Sequence, residues 1–225
     1  EQGYLKEAVV NFLALLGWSP GDEREIFTLD ELVDTFSVEG LSSRDTVFDE
    51  KKLLWLNGEH IRRKTPAELL PAAVAEWTEA GYLPEDATDV DRQTLLQIVE
   101  LLQPRVEKLD DFRLTDYFFK DPDTYDDAAL KKHWKTDTVE RMTALIGRLE
   151  KLEGFSERDV EGAVRTIAGE SGLSASKFIH PTRLMLCGVG HGPGLFELME
   201  VLGRETSLRR MRRGLEVLSP ETQLT

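Results

Sequence analysis

The stretch CGVGHGPGLFELMEVLG, residues 187–203, spaces four glycines two apart just ahead of an amphipathic run, and its reading decides the fold. A phosphate-cradling dinucleotide loop needs a strand before it, a helix after it and an acidic residue about 20 positions further on, all inside a βαβ unit. The single strand-like run in the chain is RLMLCGV, residues 183–189, so no sheet can be built around the loop. Without that sheet the dinucleotide and P-loop readings have no support. Two explanations of the glycines stay open. One is a helix–helix corner that demands unusual backbone dihedrals. The other is a loop offering bare amides and a helix N-terminus to an acceptor-rich partner, with Pro193 pre-setting the turn.

Outward from the loop, apolar residues return every three or four positions, the period of a helix face. Leu195, Leu198, Met199 and Leu202 form one stripe; Val139, Met142, Leu145, Ile146, Leu149 and Leu152 form another. TLDE from Thr28 and TPAE from Thr65 read as capping boxes, the second with Pro66 at the first helical position. Gly17, Gly81 and Gly203 stand where helices should stop. The pattern predicts about a dozen helices and an all-α fold. A boundary is expected near residue 65, where a basic turn meets a helix cap, and a second near residue 120, where Asp, Pro and Tyr interrupt the periodicity. The domains are therefore read as 1–64, 65–120 and 121–217, with 218–225 a frayed tail.

With 225 residues and 40% hydrophobic content the chain can bury a real core. Cys187 is the sole cysteine, which excludes an intramolecular disulfide and any cysteine-built zinc site and fits a reducing cytoplasm. No segment is long and apolar enough to suggest a membrane span, and no signal segment opens the chain. Residue 1 is Glu, so the chain is expected to be trimmed from something longer. The four histidines have no metal-ligand spacing, so no metal is expected. The acid pairs at 110 and 126 read as solvated turns, Trp18, Trp55, Trp77 and Trp134 as packing anchors, and no active site is visible.

The net charge of −14 argues against a polyanion partner, but residues 177–213 reverse it locally. Seven basic residues there, Arg209, Arg210, Arg212 and Arg213 among them, face three acidic ones, so the stretch carries +4 and the remainder −18. With Leu208, Met211 and Leu215 toward the core, helical rotation puts the four arginines on the flank and outer face. They either track phosphate or lie idle as solvated charge. Arg105 follows Pro104, which ends or kinks the helix bearing Leu95, Ile98, Val99 and Leu102, so it is expected to point away from the core. An ion pair to Glu107 or Asp110 is the alternative.

A resemblance adds what physics alone does not. Residues 3–42, GYLKEAVVNFLALLGWSPGDEREIFTLDELVDTFSVEGLS, followed by VFDEKKLLWLNGEHIR, resemble bacterial-type glutamyl-tRNA synthetase just after its catalytic domain. HPTR, GPGLFELMEVLG and LRRMRRGL resemble its C-terminus in the same order. Lys6 stands where many members have proline and His60 where an aromatic residue is usual. The resemblance implies a small helical stem-contact domain followed by a two-part all-helical anticodon-binding region, with tRNA(Glu) as partner; the chain is expected to be a monomer. It places Arg183, Pro193, Gly194, Leu195 and Phe196 around the first two anticodon bases, where unstacked bases expose their Watson–Crick edges. It assigns Arg105 to the third base; Arg209 and Arg213 are expected as backbone contacts only on the phosphate-tracking reading of the arginine face given above. The family's HIGH-type motif and KMSKS-type loop do not occur, so ATP and magnesium are expected only in the missing catalytic domain and no cofactor in this chain. The alternative is a free-standing helical paralogue that binds another RNA or a protein.

Overall fold

The computed structural model describes residues 3–42, 47–85 and 91–219. Residues 220–225, most of the expected tail, lie outside them. The chain divides into two compact units, residues 1–115 and 116–225. Among the described residues both are built from helices, with one isolated bridge between Trp18 and Leu41.

The first unit contains α1 (Lys6–Gly17), α2 (Leu29–Thr35), α3 (Glu50–Arg63), α4 (Pro66–Glu79) and α5 (Arg92–Leu102). Both expected capping boxes form, at Thr28 for α2 and at Thr65 for α4, and Pro66 takes the first helical position, where its missing N–H costs nothing. Lys6 likewise takes the first helical position of α1, where a proline would lose no intrahelical hydrogen bond. Apolar packing is tied together by buried amides. Asn11 Oδ1 accepts from the Phe27 amide at 2.9 Å and lies 3.0 Å from His60 Nε2, which must therefore carry the proton. Asn57 bridges the Leu5 amide to the Glu107 carbonyl, and Gln103 donates to the carbonyls of Ile61 and Lys64. These bonds close one compact body across the position where a boundary near residue 65 is expected. Trp77 and Trp18 are buried anchors, whereas Trp55 is 39% exposed on α3.

In the second unit, α6 (Asp127–His133), α7 (Thr138–Leu149), α8 (Glu157–Glu170) and α10 (Leu195–Leu218) pack around α9 (Ser176–Cys187). The strand-like run is the second half of α9. Leu184, Met185, Leu186 and Cys187 are all buried, because neighbours surround this helix. A helix buried all round has no polar face and so loses the period that would reveal it. Gly214 lets α10 approach α9: a Cβ there would stand 2.6 Å from Met185 Cγ. Gly203 does stop a helix, with φ 77° and ψ 165°, but a second segment starts at once in a new direction.

Candidate nucleic-acid interface

The glycine loop is the corner between α9 and α10. Gly188 caps α9 in the left-handed conformation, and a Cβ there would collide with the Thr124 carbonyl. Its own carbonyl accepts from the Asp126 amide at 2.8 Å. The close approach at this end of the loop is therefore made by the protein's own backbone. Gly192, at φ 137°, is exposed, and a Cβ added to it would lie 3.2 Å from Arg183 Nη1. The corner thus sets a bare, solvent-facing peptide over a guanidinium that is itself only 9% exposed.

Among the residues assigned to the first two anticodon bases, Arg183, Pro193, Gly194, Leu195 and Phe196 come together at this corner, but their exposure differs. Pro193 and Leu195 are buried and shape the loop from inside, while Gly194 and Phe196 are half-buried. Gly194 opens α10 without a side-chain cap. Beneath them the thiol of Cys187 is pushed up to about 12 by burial, which makes it a packing group and no nucleophile.

Arg105 belongs to the first unit. It closes the short 3-10 turn Gln103–Arg105 after α5, is exposed, and donates from Nη1 to the Leu101 carbonyl at 3.2 Å. It makes no ion pair with Glu107 or Asp110. Asp110 instead takes Lys108, at 3.1 Å, and Asp111 accepts from the Glu107 and Lys108 amides, so this acid pair organises a turn. Asp126, from the other pair, caps α6.

The arginine cluster is the largest departure from expectation. Arg210 is 2% exposed and so does not lie on the flank or outer face. Its Nε meets Asp121 Oδ1 at 2.9 Å and its Nη1 donates to the carbonyls of Tyr117 and Leu186. Arg209 also pairs with Asp121; Arg213 reaches Asp121 at 3.6 Å and Asp123 at 3.5 Å; Arg212 pairs with Glu150 at 2.6 Å. Burial works to raise the Asp121 carboxyl, but hydrogen bonds from Arg209 and Arg210 outweigh it and hold the group below its ordinary value. Every arginine of the expected patch from 209 to 213 is thus committed to a carboxylate of the same unit. The partners come from 62 to 90 positions away, and no local spacing rule could have supplied them.

An all-helical body is also what comparison with known proteins finds. Residues 67–215 match the family described as "Anticodon binding domain". The chain belongs to that family. Residues 1–55 match "tRNA synthetases class I (E and Q), catalytic domain", so the catalytic-domain match reaches into the part read as stem-contact. The glutamate–tRNA ligase of Chlorobium chlorochromatii is 35% identical over 97% of this chain and 45% of its own length. That of Desulforudis audaxviator is 39% identical over 95% and 43%. A crystal structure of a glutamate tRNA ligase from Elizabethkingia meningosepticum, in complex with its amino acid, superimposes with a TM-score of 0.87 at 29% identity, covering 96% of this chain and 42% of the other. The chain spans less than half the length of these relatives.

Proposed function

We propose that this chain recognises tRNA(Glu), reading the anticodon and touching the inner stem, as the RNA-binding part of a glutamate–tRNA ligase whose ATP- and magnesium-dependent chemistry resides in a catalytic domain outside it. The carrying observation is the anticodon-binding match over residues 67–215, which contains Arg105, the α9–α10 corner and Arg183. On this reading the bare peptide at Gly192 and the half-buried Phe196 receive splayed bases, and Arg183 supplies donors from below. A catalytic neighbour also accounts for the apolar surface. Among the described residues, ten of the thirteen large hydrophobic residues that are exposed fall between Val10 and Trp55, within the residues that match the class I catalytic domain. The protein is read as a cytoplasmic monomer.

Equilibrium binding to tRNA(Glu) transcripts, with anticodon-substituted transcripts as competitors, tests the proposal. Affinity should depend on all three anticodon bases and fall with salt by about 0.7 to 0.9 in log K per log salt for each phosphate contacted. Equal affinity for every anticodon would overturn it.

A further inference from the structure

With the arginines from 209 to 213 neutralised, the open cationic surface of the second unit lies elsewhere. Lys132 and His133 of α6, Lys135 in the turn after it, Arg141 of α7, and Lys177 and His180 of α9 line one cavity of about 290 Å³. The one carboxylate in its lining, Asp137, is taken up by Arg141. Lys132 and Lys177 are exposed and have no ion-pair partner among the described residues. Arg141 is a built-in wall group. Its side chain is 10% exposed, its Nη2 donates to Thr138 Oγ1 at 3.0 Å, and its Nε is buried without a hydrogen-bond partner. The N-terminal end of α9, the positive end of its dipole, faces the same space through Ser176. In a chain of net charge −14, Lys132, Lys135 and Lys177 gather beside the Arg141–Asp137 pair, and an anion bound among them would relieve their mutual repulsion.

Two imidazoles complete the cavity. The rings of His133 and His180 stack with centroids 4.1 Å apart and planes 20° from parallel. Burial first, and then the surrounding cations, hold both below the ordinary histidine value. His180, Lys132, Lys135 and Lys177 act on His133, and Arg183 and Lys132 act on His180. Arg141 and Asp137 are the other charged groups in the lining. The neutral form of the pair is therefore favoured, and an anion in the cavity would shift the balance toward the charged form, which donates from both ring nitrogens.

We propose that this cavity is a phosphate-binding site and that its occupant is a backbone phosphodiester of the RNA whose bases meet the α9–α10 corner; the choice of occupant rests on the tRNA reading above. Lys177, His180 and Arg183 follow one another at three-residue intervals on α9, so a single helix carries hydrogen-bond donors from the cavity to the guanidinium beneath Gly192. The pocket places the strand, and the corner reads its bases.

Two measurements on the whole chain test this. In the first, histidine ring resonances are titrated with pH in inorganic phosphate and in chloride at matched ionic strength. The midpoints of His133 and His180 should rise in phosphate by about 1 unit, the size an opposite charge at close range produces. In the second, the salt dependence of tRNA(Glu) binding is compared between wild type and the Lys132→Ala, Lys177→Ala double variant, whose sites are exposed and leave the core untouched. The variant should bind more weakly, with a slope shallower by about 0.7 to 0.9 for the lost phosphate contact. A phosphate response with an unchanged RNA slope overturns the RNA occupant in favour of a free phosphate-bearing molecule. No phosphate response and an unchanged slope, in a wild type that still binds tRNA(Glu), overturns the site and leaves the tRNA reading intact. A wild type whose histidines respond to phosphate but which binds no RNA does the reverse.

Discussion

Among the described residues Arg105 is held by the carbonyl of Leu101 alone, at the exposed end of a short turn, so its guanidinium can leave that bond for a base. Arginine has donors and no acceptor. It can serve O2 and N3 of cytosine, and it leaves the N1–H and N2–H donors of guanine unmet, at about 1 to 3 kcal/mol. Arg105→Gln, which can also accept, should bring the binding constants for transcripts ending their anticodons in C and G closer together. An unchanged ratio would remove Arg105 from base reading. Cys187 gives a second expectation. With its thiol raised to about 12 by burial, it should resist alkylation at pH 8 in the folded protein and react at once in denaturant. Labelling of the native chain at the rate of a free thiol would contradict the packing. Single residues were also where the sequence was least legible. The proline before Arg105 does announce its exposure, but nothing near Arg210 announces burial, because the atoms that make burial tolerable belong to Asp121, Tyr117 and Leu186.

Helices were more readable than side chains, because caps and stripes are local. Thr28 and Thr65 close the capping boxes that their spacing promised, and the Met142, Leu145, Ile146, Leu149 stripe is the buried face of α7. The exception, α9, was hidden by its own central position. Gly203 lay between these cases: its break was legible and the new direction was not. Its φ of 77° with ψ of 165° belongs to a region that glycine almost alone occupies. Gly203→Ala should therefore cost about 1 to 3 kcal/mol, visible as a lower urea midpoint with an unchanged slope. Gly214→Ala should be destabilising by a similar amount for another reason, since its Cβ meets Met185 and the helices must separate. If either variant unfolds at the wild-type midpoint, the corresponding contact or dihedral is not as described.

Across the whole molecule, charge is divided between cations that are held and cations that are open. Asp121 does much of the holding, gathering Arg209, Arg210 and Arg213. Its carboxyl lies below the unfolded value of about 3.9, so the stability it contributes is complete above that pH and is lost as pH falls through the folded value. Asp121→Asn should flatten that part of the acid-unfolding profile. The same substitution should do something less ordinary. Arg210 would keep two carbonyl acceptors and stay in place, while Arg209 and Arg213, both exposed, would face solvent without their shared counter-ion. The variant should be retained longer on heparin and bind unrelated RNAs more tightly, narrowing the margin between the intended transcript and the crowd. On the tRNA reading proposed above, a protein that picks one anticodon out of an abundance of similar polyanions gains by withholding attraction, and Asp121 is the group that would supply the restraint.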